Sequence, residues 1–413
     1  MSILAINRLA ANSRVIAFDT RLQARSQVVD IYSDLPGLYN RENESFPKNA
    51  IMAKVKDQST SKSVITLREA YEDEGVYGTT AAVGTEEMPK TKTAQTFQNT
   101  WRKVVGKPGY GLRKLEAEDY KLYEQNEEGV TMWKKEDKGY AIRKCLVETF
   151  SPNLLVGDTS TDCVAQWNMN IFIPTLGIFD QPEFDSDRAT HTNNICEGLV
   201  AAGGFDQYTA RTLTSTVLED ISNYALAKRL LPLTIPGLPT GEGFVLTVSE
   251  IQAAYLTNPI WTSNNLGSLW KDITQQSDTV QKWRGTIGSY NNILIICDPR
   301  VPMLLPGGSA EPYSLSAGYM VWNSRDARFR NRKHAKDLAI LHGRGAYISV
   351  EGEPEHWIAD ERDYGMHQGL GIAGVSGEQL PIFADEDDAD DVVNMTSALI
   401  LLDIPNQGTL SSL

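Results

Sequence analysis

Cysteine and histidine are scarce in this chain: four of the first and five of the second among 413 residues. Cys145, Cys163, Cys196 and Cys297 stand far apart and form no CxxC pair. That argues against a zinc site and a disulfide framework, and for buried thiols in a reducing compartment. Long apolar runs are missing as well. The longest, near Ile293 to Cys297, falls far short of the roughly 20 residues that span a bilayer, so a soluble chain with no membrane contact is expected. The only early cation is Arg8, which follows the first apolar residues instead of preceding them. This is the reverse of a secretory signal, and no export is expected. Positive charge is in deficit, with 39 Lys and Arg against 53 Asp and Glu and a net charge of -14. Phosphate contacts need clustered Lys and Arg, so the balance opposes a nucleic-acid-binding role. Neither a GxxxxGK[ST] phosphate loop nor a GxSxG nucleophile elbow occurs.

What is present is enough apolar material, 41%, for a sizeable core, and length enough for two or three lobes. Four local patterns could carry chemistry. Gly369-Leu-Gly-Ile-Ala-Gly374 matches the dinucleotide fingerprint by letter, but Arg362 to Gln368 ahead of it is no buried strand, so it reads as turn or loop glycines. His356, Asp360, Asp363 and His367 fall close enough together to ligate a divalent metal, although the spacing matches no HExxH helix face. They define the enzyme alternative, a metal-dependent hydrolase, which would need them gathered in one concave pocket. Asp385 to Asp391, including Asp387 and Asp388, is dense in carboxylates but has no turn glycine, so a solvated loop between strands fits better than a calcium site. Arg325 to Lys336, with Arg328, Arg330 and Arg332, is basic within an acidic chain, and pairing with a neighbour's carboxylates suits it better than nucleic acid.

Along the chain, residues 1–55 lack an amphipathic period and read as an extended arm. Its early part is locally basic, and Arg14 and Arg21 are contact candidates, with ordinary surface charge the other reading. Lys62 to Arg68 is a strand, followed by a Gly- and Thr-rich excursion from Gly75 to Thr96 and a second strand over Phe97 to Val105. These two strands lack the apolar residues for a private core and predict a projecting hairpin that needs a partner. Gly75, Gly78, Glu86, Glu87 and Trp101 are its contact candidates, although Trp101 also suits a private core. Leu115, Leu122, Val130, Trp133, Tyr140 and Val147 recur at steps near seven, which predicts a long helix over residues 112–150; unbroken, it would run about 54 Å, with Gly129 and Gly139 as places for a bend. A strand over Val164 to Ile173 and a helix over Leu213 to Leu231 follow. Thr216 and Glu219 are spaced as a capping box for that helix, with Val217, Ile221 and Tyr224 on its buried side. Beyond Gly243 the pattern reads as an α+β lobe of strands and turns, with a helix near Ala335 to Val350 and a terminal strand over Ala398 to Asp403.

The order and spacing of Phe244 to Leu256, Trp283 to Pro302, Ala335 to Val350 and Trp357 to Gly365 resemble the major capsid proteins of tailed bacteriophages, in the branch typified by the coat protein of coliphage N4. The resemblance covers most of the chain from Lys62 to Asp403. It implies the α+β fold named for phage Hong Kong 97. The expected parts are an N-terminal arm at 1–55, an extended loop at 56–108 and a peripheral domain with a spine helix at 109–205. An axial domain at 206–380 and a returning C-terminal segment at 381–413 complete it. By the same likeness the function is structural and not enzymatic, with no cofactor and no metal. Expected partners are copies of itself in hexamers and pentamers of a shell, a scaffolding protein, a portal and a decoration protein. The shell, assembled in the host bacterial cytoplasm, would enclose double-stranded DNA without sequence-specific binding, and an acidic inner wall would keep that DNA from adhering. A tail-tube or decoration protein is a rival within the virion, opposed by the long helix.

Overall fold

The computed structural model describes residues 31–33, 50–56, 62–68, 91–107, 122–149, 166–168, 170–174, 176, 178, 181, 184–185, 190–191, 212–257, 270–272, 285–305, 319–321, 336–362, 367–385 and 392–403. Its longer elements, in chain order, are β1 (Met52–Lys56), β2 (Lys62–Arg68), β3 (Thr91–Phe97), β4 (Asn99–Lys107), α1 (Leu122–Val147), the short β5 (Ile171–Phe172), α2 (Ser215–Ala227), β6 (Glu242–Val248) and α3 (Glu250–Thr257). After these come β7 (Thr286–Tyr290), β8 (Ile293–Cys297), β9 (Lys336–His342), β10 (Tyr347–Arg362), β11 (His367–Gln379), β12 (Phe383–Asp385), β13 (Val392–Val393) and β14 (Ser397–Asp403).

A ten-stranded mixed sheet forms the centre. Within it β6 runs parallel to β8 and antiparallel to β9, β9 is antiparallel to β14, and β14 is parallel to β5. Both faces of these strands are buried. Val245, Leu294, Ile296, Leu338, Ile340, Leu399 and Leu401 join one core with Ile142 and Leu146 of α1. Their alternate neighbours Leu246, Ile293, Ile295, Leu341 and Ile400 join a second with Val217, Ile221 and Tyr224 of α2 and Leu256 of α3. A strand covered on both sides reads as a continuous apolar run instead of alternating. For that reason the helix expected near Ala335 to Val350 is instead β9, a turn and the start of β10: a short unbroken run has no period to separate the two states.

Two four-stranded sheets extend from this centre, in the orders β1-β10-β11-β4 and β2-β3-β12-β13. The β2 strand matches expectation, but its partner does not. β2 pairs with β3, Lys62 opposite Phe97 and Arg68 opposite Thr91, inside what the sequence suggested was an excursion. At Gln98 the chain leaves that sheet and β4 joins β11. The polar Thr91–Phe97 segment hides its strand character because the side it buries, Lys92, Ala94 and Thr96, carries a single apolar residue. The glycines of Gly369 to Gly374 lie within β11 and not in a turn.

α1 is one continuous helix of 26 residues, about 39 Å long, passing through Gly129 and Gly139 without a break. The expected stripe holds at Val130 and Val147, but Tyr140 is 42% exposed while Ile142, Cys145 and Leu146 are buried. In α2 the buried residues are as expected, but Thr214 is the cap, its Oγ1 accepting from Val217 N at 3.4 Å, and the Thr216 capping box is not used. The helix stops four residues early, where Arg229 takes a left-handed φ of 53°. Among the described residues no helix is long and apolar enough to cross a membrane.

Candidate functional site

Charged and aromatic side chains converge where α1 meets the turn after β8. The segment Asp298-Pro299-Arg300-Val301 follows β8 with aspartate first and proline second, the order a tight turn favours. Asp298 caps it, accepting from the Arg300 backbone N–H at 3.0 Å. The same carboxylate takes both arms of the Arg143 guanidinium, Nε at 2.6 Å and Nη2 at 3.1 Å, with 2% and 1% of the two side chains exposed. Arg300 returns to α1, donating to Glu136 at 3.2 Å. Arg143 also lies 4.9 Å from the centre of the Tyr32 ring. Tyr32 Oη is 3.4 Å from Nε2 of the fully buried His342, which is also 3.1 Å from Thr247 Oγ1. Nδ1 of that ring has no hydrogen-bond partner among the described residues, and burial pushes the His342 pKa down to about 3. Lys138 reaches Glu378 of β11 at 3.7 Å. Helix, turn, central sheet and long hairpin are thereby locked as one body.

At the other end of the α1 contact lies Trp101, the sole member of the predicted contact set that falls within the described residues. It stands on β4 directly opposite Gly374 of β11, its indole N–H donating to Ser376 Oγ at 3.0 Å. A Cβ on Gly374 would sit 3.1 Å from the ring, so the glycine is there to let the indole lie flat on the strand. The Trp133 ring of α1 is 6.4 Å away. Lys134 Nζ sits 3.1 Å from the centre of the Trp101 ring and Lys103 Nζ 4.8 Å from that of Trp133. Sequence reasoning singled out neither lysine. The signal was Trp101 and Trp133 sitting on two different elements, each with a lysine within two residues.

Arg14, Arg21, Gly75, Gly78, Glu86, Glu87, Arg328, Arg330, Arg332, Asp387 and Asp388 lie outside the described residues, as does Asp363 of the metal alternative. The rest of that alternative is strung along a hairpin. His356 is opposite Ala373, Asp360 opposite Gly369 and His367 opposite Arg362, so positions 356 and 362 are about 20 Å apart along β10. His356 is half exposed, 3.8 Å from Glu353, and no group of metal-ligating residues is found among the described residues. The acidic run connects β12 to β13, which pair with each other. Cys145 is buried and Cys297 half-buried, both free thiols. Burial is the main cause that raises both pKa values, that of Cys297 to about 11.

No protein-family model and no curated protein sequence matches this chain. Solved structures do. The chain is similar to the acid-stable capsid structure of Helicobacter pylori bacteriophage KHP30, with a TM-score of 0.52 and 11% identity, over 89% of this chain and 93% of that one. It is similar to the capsid of Ralstonia phage GP4, with a TM-score of 0.51 and 12% identity, over 88% and 90%. The head structure of Helicobacter pylori bacteriophage KHP40 matches with a TM-score of 0.52 and 11% identity, over 90% and 94%. At such identities the likeness is one of fold: this mixed, sheet-rich α+β chain is built as those phage capsid structures are.

Proposed function

We propose that this chain is a major capsid protein of a tailed bacteriophage, a structural subunit that associates with its own copies into an icosahedral head. The observation that carries the reading is the fold likeness to phage capsid structures, which extends over about nine-tenths of this chain and of each of theirs. The narrower assignment, to the Hong Kong 97-type fold and the branch typified by the coliphage N4 coat protein, rests on the segments Val245 to Leu256, Trp283 to Pro302 and Leu338 to Gly365.

In this reading the segment boundaries are an arm over 1–55, an extended loop over 56–108, a peripheral domain over 109–205 with α1 as its spine, an axial domain over 206–380 and a returning segment over 381–413. A scaffolding protein, a portal and a decoration protein are its partners, and the shell encloses double-stranded DNA that an acidic wall does not bind. A shell subunit works by summing modest symmetric contacts, each of about 1,000 Å² or more. The locked α1 body supplies the rigidity such contacts need, and the thin β2–β3 sheet supplies reach. The test is negative-stain microscopy of the full chain expressed alone and with a scaffolding protein. Shells or capsomer rings are expected, and inert monomers under both conditions would overturn the reading.

A further inference from the structure

β4 is an outer strand. It pairs on one side with β11, from Asn99 opposite Ser376 to Lys107 opposite Gln368, and among the described residues no strand pairs its other side. An open edge is a template for a further strand, and cations on it oppose addition of a like strand. Arg102 and Lys103 are exposed on β4, and Val104 leaves 63% of its surface open. Lys134 adds a third cation over the Trp101 ring. Two β4 edges laid together would set cation against cation, a destabilising cross-strand pair. In a chain of net charge -14, this edge fits an extended strand rich in carboxylates.

The chain carries one such segment, Asp385-Glu-Asp-Asp-Ala-Asp-Asp391, and its own β4 is out of reach. β12 runs antiparallel to β3 with Ala384 opposite Thr93 and Asp385 opposite Lys92, so at its Asp385 end β12 points away from Phe97, the β4 end of β3. Lys92 is already about 17 Å short of the β4 end of β3, at 3.3 Å per residue. The run must also return to Val392, opposite Ala384, which limits its reach to about 10 Å.

We infer that the β4 edge, with Arg102 and Lys103, is the docking strand for the Asp385–Asp391 segment of a second copy of this chain. The inference rests on the shell reading and names one contact within it. A single-stranded nucleic acid is a poorer occupant. Stacking needs open indole faces, whereas the rings of Trp101 and Trp133 each carry a lysine, and a backbone groove needs cations in greater number.

The experiment uses three full-length proteins: the wild type, Arg102→Glu with Lys103→Glu, and a loop variant with Asp387, Asp388, Asp390 and Asp391 each changed to Lys. Particle formation is followed by light scattering and microscopy, with circular dichroism to verify folding. Each variant alone is expected to form particles roughly tenfold more slowly, as when charges that steer association are reversed. An equimolar mixture is expected to recover, because each variant's edge then meets the other's loop; a contact within one chain would not be rescued by mixing. If the edge variant misfolds, Arg102→Gln with Lys103→Gln takes its place. Wild-type rates in both variants, or no recovery on mixing, would overturn the inference and leave the shell reading standing. Failure of the wild type to assemble with or without a scaffold would end both. Binding of a 20-nucleotide single strand that only the edge variant loses, with assembly unchanged, would give the edge to nucleic acid and refute the docking.

Discussion

Arg143 is a charge at 2% exposure, and such a charge is tolerable only while its partner is in place. Desolvating an ion pair costs much of what the pair regains, but removing one partner strands the other, typically at about 3–5 kcal/mol. Arg143→Met is therefore expected to destabilise the subunit by about that amount in urea unfolding, and Arg143→Met with Asp298→Asn by clearly less. Equal losses would mean that the stranded carboxylate is not what the single change costs, since an asparagine oxygen at position 298 can still accept from the Arg300 N–H. His342 makes a different prediction. Its folded pKa of about 3 lies below the ordinary 6.5, so between those values the unfolded chain binds the extra proton. Stability is then whole above pH 6.5 and declines as pH falls toward 3, by at most about 1.4 kcal/mol per pH unit from this group. His342→Gln should flatten the melting temperature against pH between 4 and 6.5 relative to the parent; parallel curves would show that carboxylates alone set the slope.

At the scale of elements, Gly374 decides whether β4, β11 and α1 can close together. Gly374→Val puts branched carbons into the Trp101 ring, since the first carbon alone already sits at 3.1 Å. It is expected to cost about 1–3 kcal/mol as overpacking, and most of that cost should vanish in combination with Trp101→Ala, a coupling that a double-mutant cycle measures. Additive losses would disconnect the two positions. This pair also marks the limit of what could be read in advance. Trp101 was visible as a large apolar residue on a strand, and Gly374 as one of three spaced glycines, but only the β4–β11 register sets one opposite the other. Elements whose residues carry their own period or cap were legible: β2 by its β-branched alternation, α2 by its buried side, β14 by its apolar run. β9 was not, because burial on both faces erases the alternation that distinguishes a strand. β3 was not either, because the side it buries, Lys92, Ala94 and Thr96, carries a single apolar residue. The contact of α1 with the turn after β8 joins Arg143 to Asp298 across 155 residues of sequence, a pairing no local pattern announces. The metal alternative shows the converse, since strand rise sets His356 about 20 Å from the Arg362–His367 end of the hairpin although the residues are close in sequence.

For the whole molecule, charge sets two opposing salt effects on assembly. Subunits of net charge -14 repel one another, and salt relieves this, because the screening length falls from about 30 Å at 0.01 M to about 10 Å at 0.1 M. A docked contact between the Arg102–Lys103 edge and the Asp385–Asp391 run works the other way, since attraction between exposed charges is lost on screening. The attractive groups meet at close range within one contact, whereas the net charge is spread over subunits tens of ångströms across, so low salt already screens the repulsion while the contact survives. Between 0.1 and 0.5 M salt the wild type is therefore expected to assemble more slowly as salt rises. The Arg102→Glu with Lys103→Glu variant, whose edge repels the acidic run at the same close range, should assemble faster over the same range. Initial rates from light scattering at fixed protein concentration measure both slopes. Slopes of the same sign in the two proteins would show that net charge alone governs how the copies meet, and that the edge of β4 has no part in it.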